Sequence, residues 1–316
     1  MKYHTTLKVL AQAAMVLLAP SFDVRAASTK PNIVFILCDD LGYGDIQVLN
    51  PEHGKIKTPS VDRLAREGMI FTDAHSGSAV CTPTRYGLLT GRYSWRTTLQ
   101  SGVVQGFKPC LIAEDRPTVA SFLKAQGYHT GIVGKWHLNF QYLDAASGEP
   151  VKRKKKKALA PVGSIIPDGP IHRGFDYFHG FHHAGDMKGV IENDKVIAHE
   201  DEINMLPRLT RKAVEYIDGR AAADKTTPFF LYVPYGSPHS PGLPTERWQG
   251  KSGLNKHADF VMETDDGVGQ IMAALDRHGL TENTLIIFSA DNGTSKGANI
   301  PQLAAQGHKV SAGFRG

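Results

Sequence analysis

Apolar residues fall into short runs that alternate with segments carrying a helical stripe, the pattern of a mostly parallel sheet covered by helices. Ile33 to Cys38 is a continuous apolar run and predicts a buried strand. Thr58-Pro59 opens a helix with Val61, Leu64 and Ala65 as its stripe and Gly68 as its stop; Met69 to Phe71 then resumes an extended run. Leu111 to Ala113 forms a short apolar run, and a second helix is expected around Val119, Ala120, Leu123 and Lys124, stopped by Gly127. Thr130 to Val133 reads as the strand that follows. A third helix runs from about His257 to His278, with Val261, Val268, Ile271, Met272 and Leu275 on one face. Gly279 stops it, and Leu285 to Phe288 predicts another strand. Residues 141–185 and 236–256 read as long surface excursions over the face that carries function.

The first 26 residues break this pattern. Lys2 and Lys8 precede an apolar run from Val9 to Pro20, and Val24-Arg25-Ala26 ends in a small-residue cleavage context. An uncleaved anchor is the alternative, but a helix that crosses a bilayer needs about 20 apolar residues. The expectation is a signal peptide over 1–26, export to the periplasm or outside the cell, no stable membrane insertion, and a mature chain over 27–316. A chain of 316 residues with ordinary apolar and charged fractions can bury one large α/β domain, which excludes disordered and fibrous classes.

Removing the leader lowers the formal charge from +5 to +3, and six cations sit together at Lys152, Arg153, Lys154, Lys155, Lys156 and Lys157. Without them the mature chain would be net negative, so its basicity is local and no nucleic-acid surface is implied. The tract reads either as a solvated insertion or as a tether for a polyanion such as a sulfated polysaccharide. Three cysteines, Cys38, Cys81 and Cys110, are too few for a disulfide framework. A Cys38–Cys110 bridge and an inert core thiol at Cys38 both remain open.

Four apolar runs end in polar clusters: Cys38-Asp39-Asp40, Gly134-Lys135-Trp136-His137, Ser237-Pro238-His239 and Ala290-Asp291-Asn292-Gly293. Ligands of open α/β sheets bind outside the carboxyl ends of strands, so these tips are expected at one place. Asp39, Asp40, Asp291 and Asn292 form a hard-oxygen set suited to Ca²⁺ or Mg²⁺. Each pair alone would read as a cap or turn, and zinc in a phosphatase-like site is less supported. Cys81-Thr82-Pro83-Thr84-Arg85, followed by Leu89-Thr90-Gly91-Arg92, is the most specific run. Pro83 near the start of a short helix places Cys81 at its N-terminus, where free amides favour an anion. A buried small hydrophobe and a plain thiolate nucleophile are the other readings of Cys81.

On these motifs the chain, from Pro31 to its end, resembles the type I sulfatases, the arylsulfatase A-like group of the alkaline phosphatase superfamily. The fold implied is an α/β catalytic domain with a mostly parallel central sheet between helices. The resemblance further implies that a formylglycine-generating or sulfatase-maturing enzyme oxidises Cys81 to formylglycine. One hydroxyl of the hydrated aldehyde then attacks the sulfur of a sulfated small molecule or polysaccharide, and the second expels sulfate. Asp39, Asp40, Asp291, Asn292 and modified Cys81 resemble the ligands of one Ca²⁺ ion. Arg85 would hold the hydrate, Lys135 and His239 would contact the ester, with His239 the general acid, and His137 would be the base that releases sulfate. Thr84 stands where Ser is commoner. The His182-His183 pair reads as loop residues open to substrate contact.

The chain ends at Phe314-Arg315-Gly316, a stretch that in the family precedes a second sulfate-binding lysine. By that resemblance the sequence is the N-terminal part of a longer protein, without the small C-terminal antiparallel domain. Two other functions compete: a phosphomonoester or phosphonate ester hydrolase of the same superfamily, and a non-catalytic polyanion-binding protein.

Overall fold

The computed structural model describes residues 30–152 and 158–314. The expected leader, Arg153 to Lys157 of the basic tract, and Arg315-Gly316 lie outside the described residues. From Pro31 onward the chain is one compact unit built on a seven-stranded sheet.

In chain order the strands are β1 (Asn32–Asp39), β2 (His129–Lys135), β3 (Tyr177–Phe181), β4 (Gly189–Glu192), β5 (Lys195–His199), β6 (Phe229–Pro238) and β7 (Thr284–Ala290). Their order across the sheet is β5-β4-β3-β2-β6-β1-β7. β3, β2, β6, β1 and β7 run parallel, while β4 and β5 add an antiparallel hairpin at one edge. Helices are α1 (Pro59–Glu67), α2 (Cys81–Thr90), α3 (Val119–Ala125), α4 (Met205–Ala223), α5 (Lys256–Arg277) and α6 (Ile300–Ala305).

Alternation along the central strand divides the core in two. Val34, Ile36 and Cys38 of β1 face a layer holding α1, α4 and α5, with buried Leu209, Ile217, Val268 and Ile271. Leu37, with Ile132 and Tyr232, faces the other layer, where Tyr86 and Leu89 of α2 and Ala120 of α3 pack. A central parallel strand is covered on both sides, which is why β1 reads as an unbroken apolar run. Cys38, Cys81 and Cys110 are all free thiols, so the Cys38–Cys110 bridge does not form.

Two expectations need correction. Met69 and Phe71 are 77% and 73% exposed, and the extended run expected over Met69 to Phe71 joins no strand of the sheet, because its apolar side chains find no layer to pack against. Residues 141–185 are not wholly a surface excursion, because Tyr177–Phe181 is an inner strand, buried between β2 and β4. His179 and Gly180 interrupt its apolar run, and Gly180 is required there: a Cβ would collide with the Gly134 carbonyl of β2. α4 goes beyond the expected elements, although Leu206, Leu209, Ala213 and Ile217 recur at helical spacing.

α1 begins at Pro59 without a side-chain cap from its own Thr58. Asp265 of α5 supplies the acceptor from across the core, taking the Ser60 and Val61 backbone N–H at 3.0 and 2.9 Å. Asp265→Ala leaves two amides at a helix N-terminus unpaired and is expected to cost about 1–3 kcal/mol. Urea unfolding checks this, and an unchanged midpoint would mean that water satisfies those amides equally well.

Candidate active site

Four adjacent parallel strands, β2, β6, β1 and β7, deliver their carboxyl ends to one crevice. Lys135 is the last residue of β2, Asp39 the last of β1, His239 follows β6, and Asp291 and Asn292 follow β7. Asp40 and His137, each just past a strand, have left-handed backbones with φ of 61° and 56°. Such non-glycine conformations persist where the surroundings hold them, and here they reverse the chain so that both side chains return to the crevice.

Cys81 is the first residue of α2, preceded by Val80 in extended conformation with no side-chain cap. The unpaired amides of that first turn make the end of the helix favourable for negative charge. One turn later, Arg85 lies on the same face and is fully buried. Gly91, at φ 63°, closes the helix by donating its N–H to the Gly87 carbonyl at 2.8 Å. Thr82 fixes the helix against the neighbouring loops: its hydroxyl donates to the His137 carbonyl (3.0 Å) and accepts from Val104 N–H (3.3 Å).

The charged groups interlock. Arg85 Nε and Nη2 both donate to Asp291 Oδ2, at 3.0 and 2.8 Å, and Nη1 donates to the Lys135 carbonyl at 3.1 Å. Nη2 also stands 3.4 Å from Asp39 Oδ1. The Lys135 ammonium donates to Asp39 Oδ2 at 2.5 Å. Asp40 accepts from Asn292 Nδ2 at 2.7 Å, its N–H donates to Asp291 Oδ1 at 3.2 Å, and His239 Nε2 lies 3.6 Å from Asp40 Oδ2.

Burial opposes ionisation of Asp39, but Lys135 and Arg85 outweigh it and hold its carboxyl well below the usual range. Asp291 goes the other way, pushed up by burial and then by the Asp39 charge despite Arg85. Burial and Asp39 likewise raise the Cys81 thiol to about 12. His137 is driven well below its ordinary value by burial, Lys135 and His182, so its imidazole is neutral.

The fit of a hard cation can be judged from these atoms. Donor atoms of Asp39, Asp40, Cys81 and Asp291 lie within 4.8 Å of one another. The buried Asp39 Oδ1 and Asn292 Oδ1 accept no hydrogen bond. Crowded carboxylates with unspent oxygens are what a dication relieves, and the three carboxylates with the Asn292 amide oxygen favour Ca²⁺ or Mg²⁺ over softer metals. The expected residues are therefore brought together, and they fit the ion.

A buried node not expected from sequence sits behind this cluster. Asp45 Oδ2 accepts from Gly42 N–H (3.0 Å), Thr294 (2.6 Å) and His257 Nε2 (3.1 Å), while Oδ1 accepts from His308 Nε2 (2.9 Å). The loop after β1 is thereby tied to the loop after β7, the two loops that carry the carboxylates. Its sequence signal was faint, a lone acidic residue six places after Asp39. Burial opposes its ionisation, but hydrogen bonds from His257 and His308 prevail and lower it from 3.8 to about 2. A depressed carboxylate stabilises the fold above its unfolded pKa, so this contribution, about 2 kcal/mol, is lost as pH falls from about 4 toward 2. Asp45→Asn is expected to remove that part of the acid dependence, which denaturant midpoints measured from pH 6 to pH 2 would show.

A family model described as Sulfatase matches residues 31–315. The chain belongs to the sulfatase family. It is a type I sulfatase of the alkaline phosphatase superfamily, in agreement with the resemblance on Cys81 to Arg92. An N-acetylgalactosamine-6-O-sulfatase of Bacteroides thetaiotaomicron is 33% identical, over 84% of this chain and 59% of the relative. Arylsulfatase A of Bos taurus is also 33% identical, over 85% of this chain and 53% of its own length. A solved Bacteroides thetaiotaomicron sulfatase, described in connection with glycosaminoglycan metabolism, superposes with a TM-score of 0.77 at 28% identity, covering 92% of this chain and 68% of its own. This sulfatase chain thus spans little more than half the length of the curated relatives it matches.

Among the described residues no helix is long and apolar enough to cross a membrane.

Proposed function

We propose that the protein hydrolyses sulfate esters of carbohydrates or aryl alcohols, with Cys81 converted to formylglycine as nucleophile and Ca²⁺ held by Asp39, Asp40, Asp291, Asn292 and the modified side chain. The observation that carries this reading is the position of Cys81. It starts a helix with free amides and lies within 4.8 Å of three carboxylates that fit a dication. A plain thiolate fits poorly, because burial and Asp39 keep the thiol protonated. Formylglycine, once made, supplies paired hydroxyls at that position, and the ion supplies positive charge for orienting a sulfate oxygen.

The chain's own groups then have distinct tasks. Arg85, fixed by Asp291 and Asp39, presents a permanent positive charge beside residue 81. Lys135, at the end of β2, adds a second cation against the ester. A half-buried His239 can reach a leaving oxygen and donate a proton as the alcohol departs. His137, buried and neutral, is suited to take a proton from residue 81 as sulfate leaves. Two cations, Arg85 and Lys135, largely offset by the surrounding carboxylates, suit a singly charged sulfate monoester better than a doubly charged phosphate. The B. thetaiotaomicron and arylsulfatase relatives support a sulfated carbohydrate or aryl sulfate as substrate. Export through residues 1–26 and a maturing enzyme as partner complete the proposal.

The test is made on the protein produced in its own host. The tryptic peptide containing Cys81 is weighed, and the protein is assayed on an aryl sulfate and on sulfated glycans. Thiol-to-aldehyde conversion with sulfate release is the expected result; an unmodified thiol, from a host that converts a control sulfatase, would sink the mechanism. Chelating Ca²⁺ is expected to abolish sulfate release and to lower the melting temperature, since an ion that binds only the folded state stabilises it. A melting curve indifferent to chelator would remove the ion from this site.

A further inference from the structure

A second cluster of donors lies beside His137 and has no task in the hydrolysis described above. His182 and His183 follow β3, and Asp186 comes one turn later. The sequence placed the histidine pair on an open loop, yet all three residues are buried. Their donor atoms lie within 4.8 Å of one another. His183 Nδ1 stands 3.3 Å from Asp186 Oδ2 and makes no hydrogen bond. The turn is held by Asp186 N–H donating to the His183 carbonyl at 2.9 Å. His137, just past β2, lies beside the group, its backbone N–H donating to the His182 carbonyl at 2.7 Å. Its ring centroid is 5.5 Å from that of His183, and its buried Nδ1 has no hydrogen-bond partner.

We propose that His182, His183 and Asp186 bind one divalent transition-metal ion of the zinc type, with the fourth position left to solvent and His137 standing next to it. Two imidazoles and a carboxylate on a short turn form a three-ligand, nitrogen-rich set of the kind zinc takes when its fourth position is open. The carboxylates around Asp39 and Asp291 select hard cations instead, so the crevice sorts two metals by ligand chemistry. Zinc–nitrogen bonds of about 2.0–2.1 Å require these donors to close by an ångström or so, which rotation of the imidazoles supplies. On the sulfatase reading an ion here places positive charge next to His137 and inhibits turnover. The site itself does not depend on that reading, and neither does its test.

Zn²⁺ is titrated by calorimetry into the calcium-loaded protein, and the zinc-loaded wild type is examined by X-ray absorption. One ion per chain is expected, with a nitrogen and oxygen shell at about 2.0–2.1 Å. Loss of a direct ligand should exceed the roughly 10–100-fold cost of losing an outer-shell partner, so His183→Ala and Asp186→Asn should each weaken binding by about 100-fold or more. A sulfur shell near 2.3 Å, with binding lost in Cys81→Ser, would place the ion on Cys81, Asp39 and His239 and overturn the proposal. No binding by the wild type, or binding unchanged in both variants, would also overturn it. The absorption measurement needs no variant, so a misfolded substitution cannot hide the answer.

Discussion

Replacing Arg85 by alanine is expected to lower the unfolding free energy by about 3–5 kcal/mol, the cost of stranding buried charges whose partner has been removed. Arg85 is fully buried, and its guanidinium serves Asp291 twice, faces Asp39, and donates to the Lys135 carbonyl. Without it two carboxylates lose their nearest common cation and one carbonyl loses its donor. In a unit of this size the change corresponds to a melting-temperature drop on the order of 10 °C. Sulfate release should fall as well, since the same cation stands beside residue 81. Arg85→Lys should recover part of the stability but little of the turnover, because a point charge cannot hold both carboxylates and the carbonyl together. Calorimetric melting of the three proteins decides the matter. Equal melting temperatures for wild type and alanine variant would show that the carboxylates take another partner.

Removing the Cys81 side chain should do the opposite: leave the fold nearly intact and abolish the chemistry. Cys81→Ala deletes one sulfur at a helix N-terminus and breaks no ion pair of the site, so its stability cost should stay near 1 kcal/mol. Turnover of an aryl sulfate should drop by about 10⁴-fold or more, the scale seen when a nucleophile is deleted from an intact catalytic group. Steady-state assay and urea midpoint, measured on the same preparation, separate the two effects. Residual hydrolysis within tenfold of wild type would mean that residue 81 is not the nucleophile, and attention would move to a directly attacking water. The contrast between Arg85 and Cys81 reflects position: one joins three strand ends electrostatically, whereas the other only points into the space they enclose.

Much of this was legible along the chain. The apolar runs at Ile33 to Cys38, Thr130 to Val133 and Leu285 to Phe288 are strands, and the stripes after Pro59, Val119 and His257 are helices. Local pattern suffices for β1 and β2 because a strand covered on both faces must be apolar throughout, and for the helices because packing on one face demands a stripe, whereas edge strand β7 keeps an apolar run although Leu285 and Ile287 stay exposed. Polar residues ending four such runs could be read as the contents of one crevice, since parallel strands bring their carboxyl ends to one side. Cys81, Pro83 and Arg85 were legible for a similar reason: one helical turn places their side chains by local geometry alone.

Other features depended on contacts between residues far apart in the chain. The strand at Tyr177–Phe181 was obscured by His179 and Gly180, and Gly180 makes sense only against the Gly134 carbonyl of its neighbour. Met69 to Phe71 has a strand's composition but lies exposed, outside the sheet. Asp265 capping α1, and Asp45 joining His257, Thr294 and His308, are pairings across more than 200 residues that no spacing announces. Nor could the sequence say that His182 and His183 lie buried beside His137. The sequence by itself determined β1, β2, β7, three of the helices, the polar tips and the family, because periodicity and motif are local properties. Tertiary structure alone decided which tips share hydrogen bonds, which charges lose their water, and which donors stand close enough to hold an ion, because burial and electrostatics depend on distances in space.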